Sequence, residues 1–273
     1  MIVAITCDLE RDWFKGVLHN KTPTFDFISL SLPRFLKIAD EYSISYTLFI
    51  TREVAIYARE LIEGLKHEIG LHVHPFTHMV PPLPSPENDL LANYSKMKQK
   101  EMIEADKKLI EEILCVKLES FRAGYLSVNA DTFKILTELG FKYDSSILKG
   151  PSLIGWKPYR IGKIIEIPVH SLVNPESNYE SIKARLRIVN LPVKCDAVIN
   201  IYLHPHEFGA PIYKFEKIMK EFENFIDFVT RKTHLKLSTL KETTSFVSKS
   251  EYYNKLANIC MHATYRLLNF GSF

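Results

Sequence analysis

Short apolar runs alternate with longer amphipathic stretches along most of the chain. Residues 2–7, 45–50, 68–74, 117–122, 142–145, 164–168 and 197–202 read as strands. Runs this apolar suit strands buried on both faces under a cover of helices. Between and after them, 32–42, 53–65, 89–114, 130–139, 213–230 and 250–269 carry helical patterning. Gly140 marks the end of the 130–139 helix. Segment 79–86, with Pro81, Pro82, Pro84 and Pro86, reads as a loop. The alternation predicts a parallel sheet wrapped by helices, a barrel-like α/β domain in place of two separate domains. No Gly/Ser linker, repeat or low-complexity tract divides it. The predicted domain spans 1–249, and 250–273 forms a helical extension. Leu256, Ile259, Cys260, Ala263 and Leu267 give that extension an apolar face, which predicts packing on the domain, with a homodimer contact as the alternative.

Composition narrows the partners. Of 273 residues, 46% are hydrophobic and 25% charged, the balance of an ordinary globular protein large enough to build its own core. A net charge of +3, with no basic stripe, argues against nucleic acid. Cys7, Cys115, Cys195 and Cys260 are scattered and form no CxxC pair. They read as small buried apolar residues, Cys115 and Cys260 on helices. Residues 1–6 lack the features of a signal peptide, and no apolar run reaches the roughly 18 residues of a membrane span. These readings predict a cytoplasmic chain without a membrane span.

Chemistry-bearing residues gather where strands end, which is where parallel α/β folds place active sites. Asp8 and Glu10, two apart at the end of the first strand, project to one side. His72 and His74 do the same at the end of the third, and His78 comes within reach if the chain turns at Pro75. Imidazoles with a carboxylate suit Zn²⁺ or another first-row divalent ion, and three donors leave a position open. Arg122 ends the fourth strand and, beside Asp8, would hold that carboxylate ionised. Asp144 ends the fifth. His204 and His206 end the last, where one could serve as a general acid. Singly these are loop acids, a surface salt bridge, a cap and structural histidines; together they make a site. A two-His, one-carboxylate iron oxygenase fits the βα alternation poorly.

The motifs, in order, resemble those of the polysaccharide deacetylases, the NodB-like proteins of carbohydrate esterase family 4. Thr6-Cys7-Asp8-Leu9-Glu10 is similar to a variant Thr-x-Asp-x-Glu first motif. Glu68-Ile69-Gly70-Leu71-His72 resembles the second, Phe121-Arg122-Ala123-Gly124-Tyr125 the third, and Leu203-His204-Pro205-His206-Glu207 the last. Gly140-Phe141-Lys142-Tyr143-Asp144-Ser145-Ser146 and Glu166-Ile167-Pro168 match further family elements. The resemblance covers about residues 1–240. It implies a distorted (β/α)7-type barrel of parallel strands and a metal-dependent hydrolase that removes an acetyl group from an N-acetylated sugar. Asp8 would be the base toward the attacking water, Glu10 and His72 metal ligands, and Arg122 the tether of Asp8. The Tyr125 backbone N–H would face the oxyanion and His204 would protonate the leaving amine. The ion would be Zn²⁺, with Co²⁺, Ni²⁺ or Mn²⁺ as alternatives.

The chain departs from the family pattern at three places. The usual second histidine lies four residues after the first, where this chain has Phe76. His74 or His78 must replace it, and His74 ranks ahead because it shares a strand face with His72. The proline of the third motif is Gly124, which would loosen the loop. The acid role could pass from His204 to His206, otherwise a substrate contact. Trp13, with Phe14, Phe76 and Trp156, could stack on a sugar ring or pack in the core. Another linear or cyclic amide substrate, or a non-catalytic carbohydrate-binding role, are the competing functions.

Overall fold

A computed structural model describes residues 2–12, 23–79, 86–148, 158–180, 182–183, 198–233 and 235–246. Trp13, Phe14, Trp156, Cys195, Cys260 and the 250–273 extension lie outside the described residues. In chain order the elements are β1 (Ile2–Leu9), α1 (Asp26–Glu41), β2 (Thr47–Ile50), α2 (Arg52–Tyr57), β3 (Glu68–Val73), α3 (Lys96–Leu114), β4 (Ser120–Ala123), α4 (Ala130–Glu138) and β5 (Tyr143–Asp144). They continue with β6 (Tyr159–Ile161), β7 (Ile164–Glu166), β8 (Ser171–Leu172), β9 (Val198–Leu203), α5 (Pro205–Gly209), α6 (Phe215–Lys232) and β10 (Lys236–Ser238).

β1 pairs with three other strands of the sheet. It pairs in parallel with β9 on one edge, and shares the other between β2, opposite Thr6 to Leu9, and β10, opposite Ile2 to Ala4. Parallel pairing continues from β2 through β3, β4 and β5 to β7, and β6 adds an antiparallel edge. The chain from β7 to β8 then crosses the interior gap. The Ile167 and Val169 amides donate to the Asp144 and Ile147 carbonyls at 2.8 Å, and the His170 and Val173 amides donate to Asn200 and Tyr202 carbonyls at 2.9 and 2.8 Å. β5 and β9 are thereby joined through one segment, and the sheet curls back on itself as the expected distorted barrel.

Period-two alternation sorts each strand between two environments. Val3, Ile5, Cys7 and Leu9 enter the outer core with Ile28, Leu32 and Phe35 of α1. Ala4, Phe49, Ile167 and Val198 fill a smaller interior cluster, and above it the inward positions become polar. Phe35, Phe208 and Phe222 pack edge-to-face at 4.7–6.1 Å between centroids, tying α1, α5 and α6 together.

Several boundaries differ from the sequence pattern for physical reasons. α1 starts at Asp26, well before 32, because the Asp12 carboxylate accepts the Phe27 and Ile28 amides at 3.1 and 3.3 Å, a cap supplied from outside the helix. α3 starts at Lys96 behind the N-cap Ser95, not at 89. The preceding Pro86–Asp89 and Leu91–Asn93 are 3₁₀ turns. β6, β8 and β10, two or three residues each, are too short to show a period. Cys7 is buried as expected, but Cys115 is exposed. It takes the left-handed C-cap of α3 at φ 53°, which turns its side chain out of the helix packing.

Candidate active site

The parallel strands bring the ends of β1, β3, β4 and β9 to one rim. Below that rim lies a buried polar layer built around Arg122, whose side chain is fully buried. Its Nη1 donates to Asp8 Oδ1 at 2.6 Å, its Nη2 to Thr6 Oγ1 at 2.9 Å and Ser145 Oγ at 2.8 Å, and its Nε to the Ser145 carbonyl at 2.9 Å. Asn200 Nδ2 donates to Ser145 Oγ at 2.8 Å and closes the network. One face of the guanidinium rests on Phe49, 4.4 Å from its centroid. Gly70 makes room for that ring, since a Cβ there would lie 2.6 Å from it. A buried charge is tolerable only when paired and hydrogen-bonded, and here both conditions hold. Burial alone pushes the Asp8 carboxyl up. Arg122, helped by His72 and His204, outweighs it and holds Asp8 below the usual carboxylate range.

Above this layer Glu10, His72 and His74 converge, all buried, with donor atoms within 4.8 Å of one another. His74 Nε2 lies 3.2 Å from Glu10 Oε2 and 3.2 Å from His72 Nε2. Both rings are held from behind. His72 Nδ1 donates to the Arg122 carbonyl at 3.0 Å, and His74 Nδ1 meets Asp89 Oδ2 at 2.6 Å. That fixes each tautomer so that Nε2 faces the centre. Burial, with a smaller push from the His74 charge, lowers His72 to about 3, although Asp8 opposes it. Burial would lower His74 too, but Asp89 and Glu10 override it and lift the ring to about 9. Glu10 is raised by burial against the pull of His74 and His204. Two inward imidazole nitrogens, one carboxylate and a surplus of negative charge fit a divalent cation.

His78 does not join this group. Its Nδ1 accepts from Arg52 Nη1 at 3.0 Å and its Nε2 donates to buried Asp106 at 3.0 Å. The Pro75–His78 3₁₀ turn carries it toward α3, and of the two expected candidates His74 is the one that stands beside Glu10 and His72. His204, at the end of β9, does reach the site. Its Nε2 lies 3.4 Å from Glu10 Oε1 and 3.8 Å from Asp8 Oδ2, and its side chain is 21% exposed. Glu207 Oε1 stands 3.7 Å from its Nδ1. His206 is buried beside His204, with ring centroids 5.6 Å apart. Burial and the neighbouring His204 hold it well below the ordinary histidine value. Tyr125 is 44% exposed, its ring 5.5 Å from that of His74. It adopts φ 51°, followed by Leu126 at φ 54°, left-handed backbone that costs a non-glycine residue roughly 1–3 kcal/mol and is typical of functional loops.

Asp144 sits in the buried wall, where it accepts from Ser146 Oγ at 2.8 Å, and Ser146 in turn accepts the Ala123 amide at 2.9 Å. Its role is to brace β4, not to line the rim. Sequence reasoning missed Thr6 and Ser145 as Arg122 partners, Asn200 as the residue that bonds both of them, and Asp89. Period two from Asp8 back to Thr6 could have exposed the first. Asp89 follows a proline-rich loop and carries no local signal beyond that of a helix cap.

The polysaccharide deacetylase family model matches residues 22–143, a span that holds His72, His74 and Arg122 but neither Asp8, Glu10 nor His204. A search of curated proteins finds no match. Among solved structures, a putative polysaccharide deacetylase from Mycobacterium smegmatis is similar at TM-score 0.68 and 18% identity, covering 89% of this chain and 88% of that one. An allantoinase is similar at TM-score 0.64 and 13% identity, with 90% and 89% covered. A carbohydrate esterase family 4 pseudoenzyme from Bacillus anthracis is similar at TM-score 0.55 and 12% identity, with 90% and 66% covered. The polysaccharide deacetylase family model thus matches a little under half of the chain, and the likeness to these solved structures shows that the chain shares their fold.

Proposed function

We propose that the chain is a metal-dependent amide hydrolase that removes the acetyl group from an N-acetylated sugar or glycan precursor. The observation that carries this reading is the pairing of a tethered carboxylate and an imidazole, Asp8 and His204, 3.8 Å apart on the flank of the Glu10, His72 and His74 group. Glu10, His72 Nε2 and His74 Nε2 would hold the ion, most simply Zn²⁺. When bound, it would supply Lewis acidity toward the attacking water and the amide carbonyl.

The chain's own groups do the rest. Arg122 occupies Asp8 Oδ1 and leaves Oδ2 to take a proton from water, and it keeps the carboxylate in its basic form. His204 Nε2, partly open to solvent, delivers a proton to the leaving amine, which is a poor leaving group without one. Glu207, 3.7 Å from Nδ1, places a carboxylate near that ring without a hydrogen bond to it. The left-handed turn at Tyr125 presents backbone N–H to the developing oxyanion, and its exposed ring offers a face to a sugar.

The likeness to an allantoinase barrel supports, as a second reading, a C–N amide that is not on a sugar, because the same groups do not select the acyl carrier. Asp8→Asn tests the mechanism under either reading. The variant is expected to retain a bound divalent ion at the wild-type ratio, measured by plasma emission, and to lose deacetylation of N-acetylglucosamine oligomers. Wild-type turnover in the variant would sink the assignment of Asp8.

A further inference from the structure

We infer that Asp89 and Gly124 are positioning residues that make His74 the second imidazole donor, in place of the residue two positions on. The inference rests on the metal reading above and adds two residues that no motif assigns. Position 76 supplies no donor. Phe76 is buried, its ring 4.9 Å from the Arg11 guanidinium, which is itself paired with Glu53, and 5.2 Å from the His74 ring.

His74 is fixed by two residues. One carboxylate, Asp89, takes His74 Nδ1 at 2.6 Å through one oxygen and the Phe76 amide at 2.9 Å through the other. It thus sets both the ring and the turn that follows. A Cβ at Gly124 would stand 2.4 Å from His74 Cε1 and 2.5 Å from Nδ1, well inside contact distance. The ring has nowhere to retreat, because Asp89 holds that same edge. Glycine at 124 is therefore a matter of space, and the loosened loop expected from the sequence is not its reason. The displaced histidine and the missing proline of the third motif are one change seen at two positions. A carboxylate behind a ligating imidazole fixes its orientation and raises its basicity, and removing such a partner typically lowers metal affinity about 10–100-fold.

The test is a coupling experiment on the full chain. Zn²⁺ affinity is measured by chelator competition for wild type, His74→Ala, Asp89→Asn, Gly124→Ala and each of the latter two combined with His74→Ala. Circular dichroism confirms that each is folded, and Co²⁺ absorption reports donor geometry. Asp89→Asn and Gly124→Ala are each expected to weaken Zn²⁺ about 10–100-fold and to alter the Co²⁺ bands. Neither should weaken binding further once His74 is alanine. Wild-type affinity in both single variants, or equal losses with and without His74, overturns the inference while leaving the metal reading intact. A wild-type chain that binds no ion overturns that reading itself, and this inference with it.

Discussion

Two buried acids in this barrel are handled in opposite ways. Asp8 keeps its charge because Arg122 stands 2.6 Å away. Glu166 is fully buried on β7, and the charge of Arg122 is the last and smallest influence on it. Burial first, and then Asp144 beside it, raise its carboxyl well above the usual range, which favours the protonated form in the fold. The folded chain then binds a proton that the unfolded chain releases, and stability falls as pH rises from the unfolded value toward the raised folded one. Glu166→Gln removes that loss. The wild type should lose thermal stability relative to the variant as pH rises above the ordinary carboxylate range. Parallel melting curves across that range would show that Glu166 is ionised in the fold. At this scale much was legible: Asp8, Glu10, His72 and His204 stand at strand ends and announce themselves by residue type and spacing. Asp89 does not, because its partner His74 is reached only when the chain folds back across a proline-rich loop.

The elements that carry the site are held by close backbone approach as well as by apolar packing. Gly209 ends α5, the turn that follows His204, and a Cβ there would lie 2.1 Å from the Phe27 carbonyl of α1. Ser31 Oγ donates to the Pro205 carbonyl at 2.6 Å across the same contact. Gly209→Ala must push α5 off α1. It is expected to cost roughly 1–3 kcal/mol, the usual range for overpacking, seen as a lower urea midpoint at an unchanged slope. Unchanged stability would mean that the two elements separate freely. The apolar strands were readable because both faces are buried, whereas the starts of α1 and α3 were not. Asp12 extends α1 from outside it, and the pull of Asp89 into the site turns what looked like the first helical turns of α3 into 3₁₀ structure. Local pattern cannot report a cap or a ligand support delivered from elsewhere in the chain.

For the whole molecule, closing the sheet is what makes a site. The segment 164–173 bonds β5 on one side and β9 on the other, while the direct pairing of β9 with β1 sets His204 beside Glu10. The ring order was implied by the motif resemblance alone, since no strand sequence encodes its neighbour. No described helix is long and apolar enough to cross a membrane. The central claim is that β1 and β3 together supply one carboxylate and two imidazoles to a single divalent ion. Crystals grown with Zn²⁺, with diffraction recorded on both sides of the zinc absorption edge, test it most directly. The account predicts one anomalous peak about 2.0–2.2 Å from Glu10 Oε, His72 Nε2 and His74 Nε2, with His78 still bound to Asp106. A peak ligated by His78, or no peak among those three residues, would contradict it.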